Sequence, residues 1–248
     1  APTYGIYMNR VEQWLADLGT PALPVPGFEI EPGRTALLIT DPQNDFLHPE
    51  GVAFGAVGES VKENDTVANL ISLMNTAVET GMQLVISTHY YFPTDHGWKF
   101  EGTLEKLMHH IHMYDRPGNV NLVGFEGSGA DWLEELKPAI NHEKTIVCST
   151  HKVYGPENND VVLQLQKQKI EKVLLAGMSA NLCVESHLRE LVERGFECAV
   201  VADASAAAKV PGLDGMLAAL INYTMIASEV WTTKHAVEKM KGAPQVAV

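Results

Sequence analysis

The stretch Lys172-Val-Leu-Leu-Ala-Gly177-Met-Ser-Ala-Asn-Leu-Cys183 decides how this chain is read. Its apolar first half has the length of a strand, it breaks at Gly177-Met-Ser-Ala-Asn181, and helical periodicity runs from about Cys183 to Glu193. A strand-to-helix turn ending in cysteine puts a thiol where helix N-terminal amides point and where the helix dipole favours negative charge. Those surroundings favour the thiolate, the nucleophilic form of cysteine. A cysteine taken alone reads as a small buried hydrophobe. The flanking sequence argues otherwise.

Outward from this turn the same alternation repeats. Residues 35–40, 83–88, 145–150, 172–176 and 197–202 are apolar runs of strand length, and residues 224–230 supply a sixth. Helical patterns fall between them at 61–80 (apolar Val67, Leu70, Ile71, Met74 and Val78, with Gly81 as the cap), 132–136 (ending before Pro138), 161–168, 183–193 and 213–221. Strands that are apolar throughout, alternating with helices, predict a parallel sheet covered on both faces. With right-handed crossovers this becomes a three-layer, doubly wound α/β fold on a six-stranded sheet. Residues 1–34 form a lead-in, with a short helix over 11–18 and an extended connection imposed by Pro21, Pro24, Pro26 and Pro32. It is expected to pack on the domain or on a partner subunit, and residues 35–248 to form one domain. The stretch 99–129 fits the alternation poorly and reads as an insertion or lid, exposing Met108, Ile111 and Met113.

Eighteen Lys and Arg against 31 Asp and Glu give a formal charge of −13, which disfavours nucleic acid and anionic membrane as partners. Cys148, Cys183 and Cys198 are too few and too unevenly spaced for a disulfide framework, which suggests a reducing compartment. The opening Ala1-Pro-Thr-Tyr-Gly-Ile-Tyr-Met8 lacks a signal-peptide layout, so a cytoplasmic location is expected. Neither a Gly-x-Gly-x-x-Gly turn, a Walker loop nor a Gly-x-Ser-x-Gly elbow is present, leaving dinucleotide, nucleotide-hydrolysis and serine-hydrolase readings without support.

In open parallel sheets ligands bind beyond the carboxyl ends of the strands. Asp41 follows the first strand, Lys152 the third and Cys183 the fourth. A carboxylate can take the thiol proton, an ammonium can stabilise the thiolate, and amides at a helix start can hold a tetrahedral oxyanion. Leu38-Ile-Thr-Asp41-Pro-Gln-Asn-Asp45-Phe46 and Gly177-Met-Ser-Ala-Asn-Leu-Cys183-Val-Glu-Ser, with Lys152 between them, resemble the isochorismatase-like cysteine hydrolases. Gly127-Ser-Gly-Ala-Asp131 and Ala199-Val-Val-Ala-Asp203-Ala204 extend the resemblance, which spans roughly residues 35–232.

The resemblance implies Asp41 as general base, Lys152 as its electrostatic partner and Cys183 as nucleophile. It further implies a cis peptide at Met178–Ser179, an oxyanion hole of the Ser179 and Cys183 amides, and a homo-oligomer (dimer or tetramer). The implied reaction is hydrolysis of a C–N bond in a small amide, ureide or carbamoyl compound, through a thioester and without a cofactor. Two alternatives stand beside it: vinyl-ether hydrolysis using Asp41, as in isochorismatases proper, and a non-catalytic scaffold. Metal-binding nicotinamidases carry Asp-x-His after the second strand, where this chain has His89-Tyr90-Tyr91-Phe92, so no metal is expected. His109, His110 and His112 read as a polar lid or interface. His89, Tyr90, Tyr91, Phe92 and Trp98 are candidates for a pocket wall, core or subunit packing being the alternative for the aromatics. Cys148 and Cys198 read as packing residues, and Asp45 as a cap or buttress of the loop after the first strand, with fixing Lys152 as the alternative.

Overall fold

The computed structural model of the protein describes residues 10–17 and 23–244. Eight strands are formed: β1 (Thr35–Thr40), β2 (Gln83–Ser87), β3 (Ile146–Val147), β4 (Lys172–Met178), β5 (Glu197–Ala206), β6 (Lys209–Val210), β7 (Leu213–Asp214) and β8 (Glu229–Trp231). Six of them make one parallel sheet in the order β3-β2-β1-β4-β5-β8, while β6 and β7 pair as a small antiparallel hairpin. The fold is the doubly wound α/β architecture that the alternating runs predict.

β1 and β4 are buried along their whole length, because side chains alternate between two covered faces. Leu37, Ile39, Leu174 and Ala176 enter one core, under the helices Thr66–Thr80 and Thr233–Gly242. Ala36, Leu38, Val173 and Leu175 enter the other, under Val161–Lys167, Glu185–Glu193 and Gly215–Ile226. The lead-in packs on this same body: Val11 is buried in the second core and Phe28 in the first. Trp14 and Leu15 are half-buried against the second core, whereas Leu18 and Pro21 lie outside the described residues.

Several boundaries differ from the sequence reading for local reasons. The helix expected over 61–80 is two helices, Phe54–Glu63 and Thr66–Thr80. They part at Asp65, whose φ of 52° is left-handed, and the break lets Asn64 Nδ2 donate to the Ser205 carbonyl (2.9 Å). Pro138 does not stop a helix. It sits in the first turn of Lys137–Ile140, where a missing N–H costs nothing. The helix expected over 213–221 is Gly215–Ile226, since Asp214 caps it by accepting from the Met216 amide (2.9 Å). Leu213 therefore belongs to the hairpin, and the last strand begins only at Glu229. The third strand is two residues long. Residues 99–129 are not loosely attached: within them the helix Thr103–His110 forms, and Met108 and Met113 are buried in the first core.

Candidate active site

The strand order brings the ends of β2, β1 and β4 side by side. β1 and β4 pair as far as Thr40 and Gly177, and Gly177 has φ +113°. A Cβ there would lie 2.2 Å from the Thr40 carbonyl oxygen and 2.6 Å from its nitrogen, so only glycine fits. Thr40 Oγ1 then donates to the Met178 carbonyl (2.9 Å), and Ser205 Oγ to the Gly177 carbonyl (2.6 Å), fixing the chain on both sides of the turn. The Met178–Ser179 peptide is cis. A turn of π-helix, Ala180–Val184, follows and leads into Glu185–Glu193, with Tyr223 donating to the Ala180 carbonyl from the neighbouring helix.

Cys183 sits in that turn at 4 % exposure. Burial and the nearby Asp41 push its thiol up, while the Ser179 and Cys183 amides act in the opposite direction by hydrogen bonding to the sulfur. These are the two amides implied as an oxyanion hole. Asp41 is fully buried, with a left-handed φ of 46° immediately before Pro42. Burial raises its carboxyl to about 6, against the opposing influences of His89 and of the Cys183 thiol nearby. A carboxylate near 6 is a better acceptor for a thiol proton than one near 4.

Lys152 is not brought to this pair. Its ammonium donates to Asp95 Oδ2 (2.6 Å) and lies 3.5 Å from the centre of the Phe92 ring. His151 stands beside Asp41 instead, Nε2 to Oδ1 at 2.7 Å, with both side chains fully buried. The segment after β3 continues as an extended strip in which His151 bridges His89 in parallel register. Adjacent side chains on such a strip point to opposite sides, so a step of one residue exchanges the imidazole for the ammonium. Burial lowers His151 to about 3, so at neutral pH it is an uncharged donor to Asp41 rather than a cation.

Sequence reasoning also passed over His187. It donates from Nδ1 to the Cys183 carbonyl (2.7 Å) and accepts at Nε2 from Ser87 Oγ (2.9 Å), which in turn accepts from Asn159 (3.0 Å). Its position four residues beyond Cys183, one helical turn along, was the available signal. Tyr114 was passed over too. It is fully buried beside His89, its ring centroid 5.1 Å away, and its hydroxyl has no hydrogen-bond partner.

The proposed pocket residues divide. His89 is grouped with Asp41, His151 and Cys183, donating from Nε2 to the Lys152 carbonyl (2.9 Å). Tyr90 is buried, with the Arg116 guanidinium 4.7 Å from its ring centre. Phe92 is half-buried under Lys152. Trp98 packs edge-on against Tyr91 (5.8 Å), whose ring is fully buried in the core rather than lining an open wall. The Tyr91 hydroxyl, like that of Tyr114, has no partner, and charge on Cys183 would push either phenol further up.

Asp45 buttresses its loop by accepting from the Tyr114 amide (2.7 Å) and the Val52 amide (3.3 Å). Cys148 and Cys198 are buried packing residues. His109, His110 and His112 do not converge: His109 pairs with Glu101, His110 is exposed, and His112 meets Asp115 (2.8 Å). His96 joins that last pair from the other side, Nε2 to Asp115 Oδ1 at 2.6 Å. Two groups of potential metal ligands thus exist among the described residues, His96 with His112 and Asp115, and Asp41 with His89, His151 and Cys183.

The isochorismatase domain model matches residues 35–232, and the chain belongs to the isochorismatase family. A Bacillus subtilis (strain 168) relative, the uncharacterized isochorismatase family protein YddQ, is 27 % identical over 172 residues, 69 % of this chain and 77 % of that one. Among solved structures, a cysteine hydrolase from Pseudomonas syringae pv. phaseolicola 1448A superposes with a TM-score of 0.72 at 21 % identity, covering 90 % of this chain and all of the other. The N-carbamoylsarcosine amidase of Thermoplasma acidophilum gives 0.55 at 19 % identity, over 81 % and 96 % of the two chains. At these identities the likeness of structure establishes the shared fold.

Proposed function

We propose that the protein is a cysteine-dependent hydrolase of a C–N bond in a small amide, ureide or carbamoyl compound. The observation that carries this reading is the setting of Cys183: a buried thiol in the turn after β4, within 4.8 Å of a buried carboxylate that burial has raised to about 6, where the Ser179 and Cys183 amides favour a charged sulfur. The thiol proton passes to Asp41 as the sulfur attacks the substrate carbonyl carbon. The oxyanion that forms is held by the two amides. As the C–N bond breaks, Asp41 returns the proton to the leaving amine or ammonia and a thioester remains. Water then attacks the thioester, giving its proton to Asp41, and the sulfur leaves as thiolate to recover that proton.

His151 takes the third place in this scheme, donating to Asp41 Oδ1 and holding its other oxygen toward the thiol. Lys152, neutralised by Asp95, serves the rim of the site together with Phe92 and Tyr90. The unpartnered hydroxyl of Tyr114, whose ring lies beside His89, is the group offered to hydrogen-bond a polar substrate. Leu217, Ile221 and Met225 recur at four-residue spacing along one helix and are 44 %, 56 % and 61 % exposed, which supports self-association as part of the same reading.

A panel of small amides and ureides, assayed for release of ammonia before and after alkylation with iodoacetamide, tests the mechanism. Release that alkylation of Cys183 abolishes is expected. Release that survives complete alkylation would refute the thioester route and favour acid chemistry at Asp41.

A further inference from the structure

We infer that the reaction centre is also a zinc site, in which Asp41, His89, His151 and Cys183 bind the ion and take the nucleophile out of use. One ligand atom from each residue lies within 4.8 Å of the other three, and all four residues are buried. A thiolate, two imidazole nitrogens and a carboxylate oxygen are a donor set for four-coordinate Zn²⁺. The charges cancel as well, since thiolate and carboxylate together carry −2 and neutral imidazoles carry nothing. Inside a protein, where an uncompensated charge is costly, that balance favours a divalent ion.

Two further features favour ligation. His89 donates its Nε2 hydrogen to the Lys152 carbonyl, which leaves the lone pair on Nδ1. A backbone carbonyl on the far nitrogen is how metal-binding imidazoles are commonly oriented. Asp41 Oδ2 and His151 Nδ1 are buried without any hydrogen-bond partner. The free Nδ1 lets the His151 hydrogen sit on either nitrogen, so the other can present its lone pair. An ammonium beside Asp41 would repel a cation, and it is the one-residue step placing His151 there that turns this position into a donor. Binding converts the Cys183 S–H into an S–Zn bond and releases the thiol proton to solvent, with no change of oxidation state. The bound sulfur cannot then attack a carbonyl, so on the hydrolase reading zinc inhibits and a chelator restores.

The test uses the full chain freed of metal and titrated with Co²⁺, whose spectrum reports its ligands without reference to activity. A near-ultraviolet thiolate-to-cobalt charge-transfer band is expected, with the visible bands of a four-coordinate ion, and Zn²⁺ should displace both. Cys183→Ser should remove the charge-transfer band, and His151→Lys should weaken binding by at least roughly 10–100-fold. His89→Gln provides a second, milder ligand loss should His151→Lys fail to fold. His96→Ala combined with His112→Ala should leave the spectrum unchanged. No charge-transfer band, a band that persists in Cys183→Ser, or a site lost with His96 and His112 would each overturn the proposal. A protein that binds cobalt through Cys183 but hydrolyses nothing even when freed of metal sinks the hydrolase reading and leaves the metal site standing. Hydrolysis without a cobalt band does the reverse.

Discussion

The end of β4 and the end of β3 lie at the same edge of one sheet, yet they are held very differently. β4 is flanked along its length by β1 and β5, with Thr35–Thr40 in continuous register against Lys172–Gly177. β3 is an edge strand of two residues, paired only through Val85–Ile146 and Ile86–Val147. Cys183 rides on the first and His151 on the second. A chain held from both sides has its register fixed by the core. A chain held from one side is positioned by its loop contacts, such as the bridge of His151 to His89. The central strands therefore hold the turn of Cys183 from both sides, and the edge strand leaves His151 to its loop contacts.

Substitutions on the two sides should separate these contributions. The largest effect is expected at the centre: Cys183→Ala should end turnover, and Asp41→Asn should lower kcat/KM by roughly 10²–10⁴-fold. Thermal melts of both variants should stay close to the parent. Activity at parental levels in Cys183→Ala would place the chemistry elsewhere. At the edge, His151→Ala should cost on the order of 10²-fold. Lys152→Ala, which breaks a partly exposed ion pair with Asp95, should cost far less, since such pairs are worth about 1 kcal/mol or below. The reverse ranking would restore the lysine to the place that the resemblance implies.

The pH dependence sharpens the same contrast. Asp41 has to be ionised to accept the thiol proton, so the acid limb of kcat/KM should fall near pH 6. His89, His151 and His187 are each held near 3 by burial, against an ordinary 6.5. Unfolded, they bind protons as pH falls through 6.5, while folded they resist down to about 3. Their contribution to stability is thus fully present above 6.5 and is lost on acidification toward 3, by up to about 1.4 kcal/mol per pH unit for each group. Asp41 opposes this. Its raised carboxyl costs stability when ionised, and that cost lifts between pH 6 and 3.8. Denaturant melts between pH 7 and 5 should show a net fall in stability, shallower in His187→Phe. A flat profile would mean that the histidines are not buried as neutral groups.

A smaller effect is expected from Tyr114→Phe. Its hydroxyl makes no hydrogen bond in the folded chain, so removing it should leave stability within about 1 kcal/mol. If that hydroxyl meets substrate, KM should rise severalfold with kcat less affected. A clear loss of stability with unchanged KM would assign it to packing.

Much of this architecture was readable in the chain because β1, β2, β4 and β5 are apolar without interruption, a pattern few folds other than a covered parallel sheet can use. Asp41, Cys183 and the Met178–Ser179 cis peptide follow from motifs attached to those strands. The positions that escaped depend on parity and tertiary contact. Nothing in Thr150-His-Lys152 says which side chain turns inward, since that is settled by the pairing of His151 with His89 across a gap of 62 residues. Met108 and Met113 were read as exposed because their covering, beside Tyr91 and Tyr114, comes from elements far away in sequence. The break at Asp65 escaped for a similar reason: Asn64 is drawn aside by Ser205, which lies 141 residues later in the chain.

The pairing of β1 with β4 at Gly177 bears on how such a protein can diversify. A single added carbon at that position would strike the backbone of Thr40, at the root of the loop that carries Asp41. No side chain at 177 can therefore tune the distance between Asp41 and Cys183, and this junction is closed to gradual change. Novelty in substrate choice has to enter through the β2 and β3 loops, where Tyr90, Phe92, Tyr114 and Arg116 can be exchanged without moving Asp41 or Cys183.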